Sequence, residues 1–248
     1  MRLALATTWI LAGAAVTGAA YWGLLNTPES TVLALASSAL LVVVTLALLS
    51  LTLNGAIALW MNGASAAALT RSFRRIPTVV PALLVFAACW WIAQALDAWV
   101  ALRSGEINAW FIAAFGWDDI AWLFAAIGAF TIWLRWVIGG LLALSLMGAM
   151  TATGWRAGIG PQWLRRGMRA RTLIAGTLWF VALIALPWLY LVPWRPAWVP
   201  PTGVEFAFIV SKLSVAAILM AAGVALMIHE VMRVPQPPTD PGEQRLAA

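Results

Sequence analysis

Asp97, Arg135 and Lys212 are ionisable residues set inside long apolar runs. A charge at membrane depth is costly and is kept where it pairs, lines a path or serves a site. Lys212, the only lysine, and Asp97 fall at comparable depth in their runs, so their opposite charges predict an ion pair. Arg135 lies on the order of 22 Å below the start of its run at 1.5 Å per residue. That is too deep for Asp97, and Arg135 is expected to extend its stem toward the near interface.

Two basic clusters carry the other charge chemistry: Arg71, Arg74 and Arg75, then Arg165, Arg166, Arg169 and Arg171. The loops 64–78 and 151–171 that hold them contain no acid. Arginine without a neighbouring carboxylate suits anionic lipid headgroups as the partner. The plainer reading is that these residues only set orientation during insertion.

The sets that catalysis needs are missing. Cys89 and His229 each stand alone, so no intrachain disulfide and no Cys/His metal cluster can form. Asp118-Asp119 is the only adjacent acidic pair, and its place before an apolar run reads as a helix N-terminal cap. No P-loop, dinucleotide glycine motif or zincin motif occurs. Ser145-Leu146-Met147-Gly148 does not match the Gly-x-Ser-Gly of rhomboid proteases. Lys212 lies too shallow, in too few spans, for a retinal Schiff base.

The elements that must position these residues follow from composition. Of 248 residues 63% are hydrophobic and 10% charged, with a mean hydropathy of +0.91. A water-soluble fold cannot bury that much apolar surface. The expected class is an all-α, polytopic transmembrane bundle. Apolar run lengths predict six spans, at about 3–23, 31–62, 79–103, 118–150, 172–192 and 204–232, in one domain over 1–233. The first run, which ends in Gly18-Ala19-Ala20, also has the outline of a signal peptide; its length and Tyr21-Trp22 favour a retained helix. The tail 234–248 is proline-rich and polar and is expected to be disordered and cytoplasmic.

Six spans put both termini on one side. Arg2, Arg71, Arg74, Arg75, Arg156, Arg165, Arg166, Arg169, Arg171, Arg233 and Arg245 then share that side, 11 of the 15 basic residues. The positive-inside rule makes it the cytoplasmic side of a cell membrane. On the other side 107–117 reads as an interfacial loop, and 193–201 as a Trp/Pro segment that cannot continue a helix. The 17 tryptophans are expected to form an aromatic belt; a stacking surface for a flat ligand is the alternative.

Sliding the chain on itself by 95 residues matches Leu46–Ala87 without gaps, including Ser50 with Ser145, Trp60 with Trp155, Gly63 with Gly158, Arg71 with Arg166 and Arg74 with Arg169. With six further Leu and Ala matches, that is 11 identities in 42 positions. It implies a parallel repeat of two hairpins, spans 2–3 and 4–5.

The expected function is that of a non-catalytic membrane protein: a scaffold, a lipid-engaging protein or a subunit of a complex, with no cofactor. A transporter of a small or hydrophobic solute is the alternative, lined by Asn54, Asn62, Gln94, Asp97, Arg135 and Lys212. A lipid-modifying enzyme comes third.

Overall fold

The structure is a computed structural model that describes residues 2–27, 31–63, 70, 73, 75–117, 119–194 and 203–233. Among these residues the fold is all-helical. Eight helices are named here: α1 (Arg2–Leu25), α2 (Val32–Asn62), α3 (Val79–Phe115), α4 (Ala121–Thr153), α5 (Trp155–Gly158), α6 (Gln162–Gly167), α7 (Ala170–Leu191) and α8 (Gly203–Met232). The long ones, α1, α2, α3, α4, α7 and α8, are each long and apolar enough to cross a membrane.

The third span is longer than expected. The helix runs on through 104–115, where an interfacial loop was expected, and ends at Gly116 in the left-handed region (φ 68°). Ser104-Gly105-Glu106 is polar but contains no proline, so nothing stops the helix once it leaves the apolar layer. At 1.5 Å per residue α3 is about 55 Å long. That exceeds a hydrocarbon core of about 30 Å, so it must tilt or project.

α4 is the central strut. Leu141, Leu142 and the run Leu144–Thr151 are buried. In lipid, helices gain little from hiding apolar surface from one another; close packing and hydrogen bonds hold them. Small residues supply the closeness. A Cβ on Gly55 of α2 would collide with the Trp9 ring of α1, and Trp9 Nε1 donates to the Thr52 carbonyl at 3.0 Å. α1 packs on α2 and α8, with Ala6 and Ile10 in the core.

Hydrogen bonds cluster near one end. Asn54 of α2 is fully buried. Its amide nitrogen donates to the Ser50 and Thr78 hydroxyls at 3.1 Å and to the Arg75 carbonyl at 3.2 Å. Its oxygen accepts from Thr151 at 3.3 Å. One side chain thus joins α2, the 3₁₀ turn Ile76–Thr78 before α3, and α4. At the same end Arg2 donates to the Trp60 carbonyl at 3.3 Å, and the Trp60 ring lies 4.7 Å from that of His229. This is the basic end, where Arg75 and the α6 arginines also lie.

Two long helices contain π-helical segments, 134–138 in α4 and both 181–185 and 187–191 in α7. Pro187 explains those in α7: it has no N–H for the regular bond, and the turn widens around it. The α4 segment contains no proline and coincides with Arg135 and Trp136.

The caps bear on the expected repeat. Gly63 ends α2 and Gly154 ends α4, with N–H groups on the Leu59 and Met150 carbonyls at 3.1 Å each. These two ends are 91 residues apart (154 − 63), whereas the sequence match runs at 95 and puts Gly63 on Gly158, the last residue of α5.

Candidate functional site

Asp97 pairs with Arg135, not with Lys212. Arg135 Nη2 donates to Asp97 Oδ2. The two meet because the helices form a hairpin: Asp97 lies 18 residues before the end of α3 at Phe115 and Arg135 14 residues after the start of α4 at Ala121 (115 − 97; 135 − 121). Reading 104–117 as a loop had hidden that proximity. Their side chains are 38% and 19% exposed, so the pair sits at the edge of the protein rather than in its core.

Aromatic rings surround this pair. The Arg135 guanidinium lies 5.2 Å from the centre of the Trp90 ring, a cation–π contact. Trp90 donates to Gln94 Oε1 at 3.2 Å and meets Trp136 edge-on at 5.5 Å. Phe86 closes a triangle, 6.1 Å from Trp90 and 5.9 Å from Trp136. Arg135 Nε is buried and has no partner among the described residues.

Lys212 does different work. Its ammonium donates to the Val192 carbonyl and, at 2.9 Å, to that of Trp194. These carbonyls follow the end of α7, where helix oxygens lack partners and a cation is favoured. The α8 lysine therefore closes the end of its neighbour, and Asp97 is engaged elsewhere.

Behind Phe86 and Trp136 lies a cavity of about 620 Å³ to which all six long helices contribute. Ile10, Leu53, Met147, Ile184 and Met227 are among its walls, and every lining residue is apolar or glycine. Ala217 and Ala221 of α8 line it too, while Ala225, one turn further on, is buried. The volume is within the range of small-molecule pockets. α2 and α4 hold their polar contacts through Asn54 and Thr151, and α2 touches α3 little beyond Ser50, Asn54 and Thr78.

The polar residues named as a transport lining are placed otherwise. Asn54 is used by interhelical bonds, Gln94 by Trp90, Asp97 and Arg135 by each other, and Lys212 by α7. None lines the cavity. The Asn62 side chain lies outside the described residues.

The basic clusters are resolved in part. Arg71 and Arg74 lie outside the described residues, as does the tail 234–248. Arg75 accepts through its carbonyl from Asn54 and Thr78. Arg165, Arg169 and Arg171 are exposed, and Arg166 is buried. Asp119 Oδ1 accepts the Ala121 N–H at 2.9 Å at the start of α4; Asp118 is outside the described residues. At the opposite end Trp110, Phe111, Phe115, Trp117 and Trp122 form one aromatic cluster with centroid spacings of 5.0 to 6.0 Å.

The sequence reading missed the Phe86–Trp90–Trp136 wall. The i, i+4 spacing of Phe86, Trp90 and Gln94, with Asp97 one turn further on, was the available signal. The architecture is that of a multi-pass membrane protein. No family model matches the chain, and neither the curated proteins nor the solved structures compared with it give a match.

Proposed function

We propose that the protein is a non-catalytic, lipid-engaging membrane protein whose central cavity holds the hydrocarbon chain of a membrane lipid. The observation that carries this reading is the cavity's wholly apolar wall. The cavity is partly open to the protein's exterior, so the surrounding medium fills it. Water is a poor filler, because a buried water needs two to four polar partners. Hydrocarbon from the surrounding bilayer needs none.

The basic end, on this reading, faces the cytoplasm and its anionic headgroups, and the protein sits in the cell membrane. α2 and α4 run in the same direction, which supports a parallel duplication whose loops have since shifted by about a turn.

A second reading, export of a hydrophobic solute, draws on the π-helical segments. Trp136 and Ile184 lie in two of them and line the cavity, and such segments often mark functional hinges.

Native mass spectrometry of the purified protein tests the proposal. The parent is expected to carry bound lipid that Gly140→Leu and Ala143→Phe displace. Room for the first exists: a Cβ on Gly140 would meet only Met227 Cε, at 3.7 Å. Equal lipid retention by folded variants overturns the proposal. Solute flux in vesicles, abolished by the same variants, would favour export.

A further inference from the structure

Arg166 is turned into the protein, at 7% exposure, while Arg165 beside it is exposed. The phase of α6 decides this. Trp163, Arg166 and Gly167 stand at i, i+3 and i+4 and so share one face. That face lies on α4: Ser145 Oγ donates to the Trp163 carbonyl at 2.6 Å, and a Cβ on Gly167 would come within 2.8 Å of Leu142 Cδ2. Gly167 thus lets α6 settle close enough to carry Arg166 inward.

The stem of Arg166 is buried, and its guanidinium presents five donors and cannot discard its charge. Among the described residues no hydrogen bond or ion pair engages Arg166. The charge it feels is like in sign: burial first, and then Arg169, push its pKa below the ordinary arginine value. Arg169 is also the residue that opens α7. It makes no side-chain cap there, and the first turn of α7 contains no acid. The first N–H groups of α7 therefore keep the positive end of the helix dipole uncapped. Arg166 thus lies three residues before Arg169, the residue that opens α7, and no ion pair among the described residues engages either guanidinium.

We propose that Arg166, Arg169 and the N-terminus of α7 form a binding site for a phosphate group, either the phosphodiester of an anionic lipid or free phosphate. Phosphate matches each part: the planar guanidinium fork holds two of its oxygens, and helix N–H groups take another. The proposal deepens the reading of the basic end as lipid-facing, by assigning one residue a task that pooled surface charge does not have. It is independent of the cavity, which lies on the other side of α4, against Gly140, Ala143, Leu144 and Met147.

Thermal unfolding of the full chain in neutral detergent tests it. Added probes are phosphatidylglycerol, phosphatidylcholine as its control, and inorganic phosphate against chloride at equal ionic strength. The parent is expected to unfold at higher temperature with phosphatidylglycerol, phosphate or both, and the effective probe identifies the source. Arg166→Met should fold at least as stably as the parent without a probe, since it removes an uncompensated charge, and should lose the probe-induced rise. Arg169→Gln should lose most of it, and Arg233→Gln, an exposed arginine at the same end, should keep it. Should Arg166→Met fail to fold, Arg169→Gln against Arg233→Gln decides. The proposal is overturned when neither probe moves the parent, or when Arg166→Met or Arg169→Gln responds as fully as Arg233→Gln. A rise that shrinks equally in all three variants and vanishes with salt would leave the basic end lipid-facing and remove this site.

Discussion

Asp97 and Arg135 face each other across the α3–α4 hairpin, and the Arg135 guanidinium rests between that carboxylate and the Trp90 ring. The pair ties α3 to α4 beside the aromatic wall of the cavity. In a low-dielectric setting, stranding one charge is worse than removing two. Asp97→Asn and Arg135→Gln should each lower the unfolding temperature in detergent more than the double variant does, with a coupling of about 1–3 kcal/mol. Asp97→Asn and Lys212→Met should add to within about 0.5 kcal/mol. Coupling between Asp97 and Lys212 as large as that with Arg135 would contradict the assignment.

Asn54 is the polar joint of the basic end. Asn54→Leu keeps the volume, leaves the Thr151 hydroxyl without its acceptor and removes the amide donor to Ser50 and Thr78. Interhelical hydrogen bonds in membrane proteins contribute on average about 0.6 kcal/mol each. Losing several should cost about 1–2 kcal/mol, read as a lower midpoint in denaturant. An unchanged midpoint would mean that the joint is not stabilising.

Gly158→Ala tests the seat of α5. A Cβ there would lie 2.5 Å from Met150 Cα, a backbone atom that cannot swing away. The expected loss is about 1–3 kcal/mol. At Gly128 on α4 a Cβ would meet nothing within 4 Å. Gly128→Ala should be neutral or raise stability by up to about 1 kcal/mol, from helix propensity alone. Equal melting shifts for the two variants would contradict the packing.

The spans were legible because run length alone identifies them, and the end of the third was not. Polar residues at 104–106 read as an exit into water, but leaving the bilayer does not end a helix; a residue such as Gly116 does. That single boundary also moved the partner of Asp97, since depth counted from a loop is not depth counted from a hairpin turn. Arg166 was visible only as one of four clustered arginines. Its burial depends on the rotation of a six-residue helix, which the Ser145–Trp163 bond and the Gly167 contact fix through tertiary structure. The cavity was unreadable for a similar reason: six helices each contribute one strip of it, and apolar residues that border a void have the same composition as those that fill a core.

The central claim is that hydrocarbon occupies the cavity, and photocrosslinking reads this directly. The full chain in vesicles is exposed to a phosphatidylglycerol with a diazirine near the end of one acyl chain, and the labelled residues are located by peptide mass spectrometry. Labelling of Met147, Met227 and Ile184, lost in Gly140→Leu, is the predicted result. Labelling confined to bilayer-facing residues such as Val43, Leu84 and Ile218, with the cavity wall unmarked, would contradict the account.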